Sequence, residues 1–444
     1  MPNLLHRRAG RMLTAIALAA GLALTALPAA AAPTAAGGRV APAIGVHPHY
    51  RAAGKPGAAG DQVLFSCQLP TAELPCYGPS QIQNAYRFSP LYKAGITGKG
   101  RTIAIVDAFQ SPVIRDDLAL FDQTFGLPDP KFTIVAPDGL TPFDENDPNQ
   151  VGWAAEISLG VQWAHAIAPD AAITLVLAKS NEDADILSAT RYVVDHGLAD
   201  VISQSFGEAE ECMDPALLRA QHQLFQRATA KRITLVASSG DDGAAQPSCD
   251  GADLIKAAST PASDPLVTGV GGTRLDADLE TGAYHSETSW NDEFGASGGG
   301  FSRVFATPAF QRPLHLPSRG VPDVAYNGDV FGGVLVAFGV NVGPGTGPGS
   351  FFIFGGTSAG APQWSALSAL TNQVAHRRVG FLNDAIYDIA RSPLYAATFH
   401  DVTTGDNSID GITGFEATRG WDPVTGWGTP KAVTLVPLLA LKAA

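Results

Sequence analysis

From Arg101 onward, short apolar runs alternate with longer stretches in which apolar residues recur every three or four positions. "RTIAIVDAF" holds such a run ending at Asp107, and "AAITLVLAKS", "ADVISQSFG", "ITLVASSGDDG" and "PLVTGVGGT" repeat the form, each closing in small or polar residues. These read as buried strands. Between them "SPVIRDDLALFDQTFGLP", "WAAEISLGVQWAHAI", "NEDADILSATRYVVDHG" and "PALLRAQHQLFQRATAK" carry helical spacing. Strands alternating with helices predict an α/β fold, a mostly parallel sheet with helices on both faces. A ligand site in such a sheet lies outside the carboxyl ends of the strands. Asp107, Asp241 and the loop Ser205–Gly207 should therefore share one rim.

Two later stretches, "SGGGFSRVFATPAFQR" and "GVPDVAYNGD", read as irregular, glycine-rich chain. Gly298, Gly299 and Gly300 allow close backbone approaches that other residues cannot make, which suits a cleft wall as well as an ordinary loop. In "FGGTSAGAPQW" a Gly-Thr-Ser turn opens a helix, placing the Ser358 hydroxyl beside the positive end of the helix dipole. A serine there also serves as a helix cap.

Composition narrows the setting. The first 32 residues run from arginines through a short apolar stretch to an alanine-rich end, the form of a secretory signal peptide, with Arg7 and Arg8 a weak hint of twin-arginine export. Residues 33–66 are rich in Gly, Pro and Ala and read as a linker or short propeptide. Residues 67–444 suffice for one large domain. A formal net charge of -13 argues against nucleic acid as a partner. No second apolar run of spanning length follows the signal, so the expectation is a secreted, soluble monomer with no membrane contact after signal removal. The even set of four cysteines suits an oxidising compartment, and the expected pairs are Cys67 with Cys76 and Cys212 with Cys249.

Seven stretches in order, "TIAIVDAF", "WAAEISLGVQWAHAIAP", "DVISQSFGE", "ASSGDDGA", "GGGFS", "GGTSAGAP" and "DVTTGDN...GWDPVTGWGTP", together resemble the sedolisins, or serine-carboxyl peptidases. The resemblance implies a subtilisin-like fold and a secreted serine endopeptidase that cleaves protein or peptide substrates at acidic pH. It makes Ser358 the nucleophile and Glu156 the base in place of the subtilisin histidine. None of the ten histidines sits in a suitable motif, and His165 should be structural at the end of its helix. Asp241 matches the family's oxyanion-hole residue. It must be protonated to donate a hydrogen bond to the developing oxyanion. The resemblance also implies a Ca²⁺ site, with carboxylates from Asp401 and Asp422 and carbonyl oxygens from Val402, Thr418 and Gly420, a hard-oxygen set of the kind calcium takes.

The chain departs from the family pattern at one decisive place. The aspartate expected one helical turn after the glutamate is Gly160, which has no side chain to orient anything. Either Asp107 supplies the missing carboxyl and a Ser358, Glu156, Asp107 triad works, or the protein is a degenerate peptidase acting as an extracellular binding or scaffold protein. An esterase reading, with "GTSAG" as the nucleophile turn followed by Asp384 and His400, leaves Glu156 and Asp241 without a role.

Overall fold

The central sheet is built from eight strands: β1 (Thr102–Ala108), β2 (Phe132–Val135), β3 (Ala172–Ala178), β4 (Val201–Gln204), β5 (Thr234–Ser238), β6 (Thr268–Ala277), β7 (Tyr284–Ser289) and β8 (Val324–Asn327). They run in the order β7-β6-β5-β4-β1-β3-β2, with β8 also paired to β6, and every pairing is parallel except β6 with β7. The computed structural model describes residues 45, 49–59 and 62–443. The signal peptide expected over 1–32 lies outside the described residues.

Five helices flank the sheet: α1 (Ile114–Phe125), α2 (Pro148–Ile167), α3 (Asp183–His196), α4 (Pro215–Ala230) and α5 (Thr357–Val374). Strand β1 shows why its sequence is an unbroken apolar run. Ile103 and Ile105 enter the core shared with α2 and α5. Ala104, Val106 and Ala108 enter the opposite core shared with α3 and α4. A strand buried on both faces needs apolar residues at every position. Asp107 is the exception, and by alternation it lies on the α2 side with Ile103 and Ile105.

Helix α2 begins at Pro148, with the Asp147 side chain accepting a hydrogen bond from Asn149 N. From Trp153 to Ile167 every residue is buried. A helix that is covered all round cannot be amphipathic, which explains its evenly apolar sequence.

The structure corrects one sequence reading. Within "GVPDVAYNGD" the residues Val324–Asn327 are not irregular but form β8, wholly buried and paired with Val270–Thr273 of β6. Four residues between a proline and an Asn-Gly pair are too few to show strand periodicity. A second, four-stranded sheet joins Tyr50–Gly54, Phe351–Phe354, Gly333–Ala337 and Cys76–Tyr77. Both expected disulfides are present, Cys67–Cys76 and Cys212–Cys249.

Candidate active site

Parallel register brings the carboxyl ends of three strands level. Gln204 of β4 pairs with Val106 on one side and with Ala237 on the other. Asp107, Ser205 and Ser238 therefore fall in one row, and Asp241 follows in the turn after β5. Above this row α5 starts, with Gly356 at its N-cap in a left-handed conformation (φ 99°) and Ser358 in its first turn.

Helix α2 crosses beneath the row, antiparallel to β1. A β-carbon added to Gly160 would stand 3.2 Å from Ile105 Cγ2. One turn back along the helix is Glu156, and two residues on along the strand is Asp107. Four helical residues advance about 6 Å and two strand residues about 6.6 Å, so the register that sets Gly160 against Ile105 sets Glu156 against Asp107. The chain has the acid on the strand and the empty position on the helix.

Both carboxyls are sealed from water, Asp107 completely and Glu156 to 1% exposure. Burial pushes the Asp107 carboxyl well above its usual range. Glu156 is raised by burial first, then by Asp107 and Asp241, and is drawn back by the Ser358 and Ser205 hydroxyls. Two carboxyls in so dry a place cannot both ionise readily. No donor comes within close bonding range of any of their four oxygens. The two serines rest on each other's backbone instead, Ser358 Oγ donating to Ser205 O at 3.5 Å and Ser205 Oγ to Ser358 O at 3.4 Å. Such long contacts are common before a substrate tightens the site.

Asp241 is held from the nucleophile's own turn. Its Oδ1 accepts from Thr357 N and from Thr357 Oγ1, each at 2.7 Å. Its Oδ2 lies over Gly356, where an added β-carbon would be only 2.7 Å away. That glycine is required twice, for its positive φ and for this approach. With Oδ1 occupied as an acceptor, Oδ2 is the oxygen left outside that clamp. Behind Asp241 the glycine-rich chain approaches closely, with Gly298 N donating to Gly240 O at 2.7 Å.

Ser358, Asp241, Ser205 and Gly207 line a cavity of about 30 Å³ to which Gly45 also contributes. Gly45 pairs antiparallel with Gly207, the two N–H···O bonds measuring 3.2 and 3.4 Å, and His49 O accepts from Gly355 N at 2.9 Å. The expected rim thus holds Asp241 and the Ser205–Gly207 loop, whereas Asp107 lies beneath it. Sequence reasoning missed the Ser205 hydroxyl and the Thr357 clamp; a serine closing a buried strand was the one signal available for the first. His165 is structural, as expected, facing Asp122 in the core at 3.3 Å. His400 stacks on Tyr284 with ring centroids 3.7 Å apart, and burial pushes it down to about 3. It makes no contact with Ser358, so the esterase arrangement is not formed.

The subtilase family model matches residues 146–386. Kumamolisin of Bacillus sp. (strain MN-32) is 33% identical over 406 residues, which are 88% of this chain and 68% of that protein. The chain belongs to the subtilase family, in its sedolisin branch. Sedolisin of Pseudomonas sp. (strain 101) is 28% identical over 372 residues, 79% of this chain and 60% of that protein. The structure of Pseudomonas sedolisin, a serine-carboxyl proteinase complexed with two molecules of pseudo-iodotyrostatin, superposes with a TM-score of 0.73 at 26% identity, covering 84% of this chain and 100% of that one. The α/β fold is the one the strand and helix pattern predicted, and its subtilisin-like form is the one the resemblance implied.

This sedolisin chain carries further buried acids. Burial pushes Asp117 up to about 7, and burial followed by Asp292 pushes Asp329 up to about 8. A carboxyl raised on folding binds its proton more tightly in the native state. Its contribution is complete below its unfolded value, about 4, and is lost as pH rises through its folded value. The melting temperature is therefore expected to be highest at acidic pH and to fall through the neutral range. Asp329→Asn should flatten that fall in a thermal-melt series against pH.

In the C-terminal segment Asp401 and Asp422 converge on one turn. Asp401 Oδ1 accepts from Gly420 N at 3.0 Å and from Tyr395 OH at 2.8 Å, and Asp422 Oδ2 accepts from Thr418 N at 3.0 Å. Burial raises Asp422 to about 6. Among the described residues the carbonyl oxygens of Val402, Thr418 and Gly420 accept no hydrogen bond. Two carboxylates and three carbonyls with free lone pairs are the donor types a hard divalent cation takes.

Proposed function

We propose that the protein is a secreted serine endopeptidase of the serine-carboxyl type, acting on protein or peptide substrates at acidic pH through an acyl-enzyme on Ser358. The observation that carries this reading is the burial of Asp107 against Glu156 beside the Ser358 hydroxyl. Carboxyls from two distant stretches meet where a serine needs a base. In the first step Glu156, in its ionised form, takes the Ser358 proton as Oγ bonds to the scissile carbonyl carbon. Asp241 Oδ2–H donates to the carbonyl oxygen as it becomes an oxyanion. Glu156 then returns its proton to the leaving amine, and water repeats the sequence to release the acyl group.

Hydrolysis of an acid-denatured protein, followed across pH, tests the reading. The wild type should cleave it at acidic pH and Ser358→Ala should not. A wild type inactive at every pH, alongside an active Gly160→Asp, would make this a binding or scaffold protein instead.

In the same reading Asp401 and Asp422, with the carbonyls of Val402, Thr418 and Gly420, hold Ca²⁺ and so tie the C-terminal turn to the segment at Asp401. A cation bound to the native state alone adds stability by mass action, about 2.7 kcal/mol at a hundredfold excess over Kd. Chelation should lower the melting temperature, and Asp422→Asn should abolish the difference between calcium-loaded and chelated samples.

A further inference from the structure

The cavity at Ser358 has a floor that the chemistry above does not use. Two backbone stretches wall it, Ser205–Gly207 after β4, and Ser238 with Gly240 at the end of β5. Each wall presents a glycine where a side chain would fill the space. A β-carbon on Gly207 would collide with Ser259 Oγ, and one on Gly240 would stand 2.6 Å from Gln246 Nε2 and 3.7 Å from Ser259 Cβ. Gln246 and Ser259 therefore meet at Gly240, between the walls, and both line the cavity.

Gln246 is only 4% exposed, and among the described residues its side-chain amide makes no hydrogen bond. Ser259 is buried as deeply, and its hydroxyl has only a long contact, 3.5 Å to Thr260 O. An amide offers two N–H donors and an acceptor oxygen. Buried polar groups are ordinarily paired, because one left bare loses its water without return. The partner of Gln246 must enter through the cavity, as water or as substrate.

The reaction proposed above fixes which part of a substrate enters. The scissile carbonyl carbon bonds to Ser358 Oγ and its oxygen lies at Asp241, and both residues line the cavity. The α-carbon next to that carbon carries the side chain on the acyl side of the bond (P1), whereas the amine-side residue lies farther off, beyond the nitrogen. The P1 side chain therefore takes the recess. Its volume of about 30 Å³ holds about two water-sized groups, too little for lysine, arginine or an aromatic residue. An acidic side chain would enter beside Asp241 and Asp242.

We propose that Gln246 is a specificity-determining residue that selects a short, uncharged polar side chain, serine, threonine or asparagine, at P1. Its amide bonds the entering hydroxyl or carboxamide, with the Ser259 hydroxyl beside it. An apolar side chain of the same size buries the amide unpaired. A site built to hydrogen-bond a substrate group rejects the analogue lacking that group far more strongly than an apolar pocket rejects a missing methylene. The inference rests on the peptidase reading, because that reading places the scissile carbonyl at Ser358 and Asp241.

The test compares the full-length wild type with Gln246→Met, which keeps an unbranched side chain of similar size without the amide. The substrates are internally quenched peptides built on one site that the wild type cuts in acid-denatured haemoglobin. They differ only at P1, as the near-isosteric pairs threonine and valine, asparagine and leucine, with lysine as the long, charged comparison. Values of kcat/KM are measured at acidic pH and each polar-to-apolar ratio is taken within one protein, so a loss of folded enzyme cancels. In the wild type each ratio should be at least about tenfold, the size of one buried polar group left unpaired. In Gln246→Met it should fall below about threefold. Gln246→Ala should do the same and serves if Gln246→Met does not fold. Wild-type ratios below about tenfold, a lysine peptide cut as fast as the threonine one, or ratios that stay above about threefold in the folded variants overturn the proposal and leave the peptidase reading standing. A folded wild type that cuts neither the denatured protein nor any of the peptides overturns the peptidase reading, and this inference with it.

Discussion

Asp107→Ala is expected to lower kcat/KM by about 10⁴-fold, the loss seen when the orienting acid of a serine protease triad is removed. It should do so without unfolding the protein. Neither Asp107 oxygen has a close hydrogen-bond partner, and a buried, unpaired carboxyl does not support the native state. The melting temperature of Asp107→Ala should match or exceed that of the wild type. A purely structural Asp107 would give the reverse, a large loss of stability with activity falling only in proportion. The isosteric Asp107→Asn adds a pH signature: Asp107 helps to raise Glu156, so its neutralisation should move the acidic limb of kcat/KM to lower pH. Returning the acid to the helix offers a rescue. Gly160→Asp alone crowds Ile105, whereas Gly160→Asp with Ile105→Ala in the Asp107→Ala background should recover part of the lost rate.

Asp241→Ala is expected to reduce kcat by about 10²- to 10³-fold with little change in KM, the effect of removing one oxyanion donor. Asp241→Asn tests the protonation requirement itself. The amide oxygen can accept from Thr357 N as Oδ1 does now, leaving the NH₂ group to donate at any pH. Asp241→Asn should therefore keep a kcat well above that of Asp241→Ala, because it retains a donor where the alanine has none. Equal kcat values in the two variants would remove Asp241 from the oxyanion hole.

The strands and helices that build the main sheet were legible because burial on both faces writes itself as unbroken apolar runs, as in β1, β3 and β5. Strand β8 was not, since "VAYN" is short and enclosed by turn-forming residues. The strand Tyr50–Gly54 was hidden for another reason: its partners at Phe351–Phe354 lie about two thirds of the chain's length away, and nothing local records the pairing. Ser358, Glu156 and Asp241 could be named from their motifs, and Asp107 from its place at the end of β1. That Asp107 faces Glu156 could not be read directly, because it depends on the register of α2 against β1. Gly160 was nonetheless a signal, for a glycine inside a buried helix marks something packed against it, and here that is Ile105.

The pairing of Gly45 with Gly207 and of His49 with Gly355 gives the cleft a resident. Gly207 lines the cavity at Ser358 and Gly355 precedes it closely in the chain, and these two backbones pair with Gly45 and His49 of the same chain. A group tied to the same chain competes as a ligand at an effective concentration on the order of millimolar, whatever the dilution of the protein. In the proposed function a peptide pairing with either backbone exchanges with Gly45 or His49, and the KM of the intact chain is expected to report that exchange rather than the filling of an empty groove.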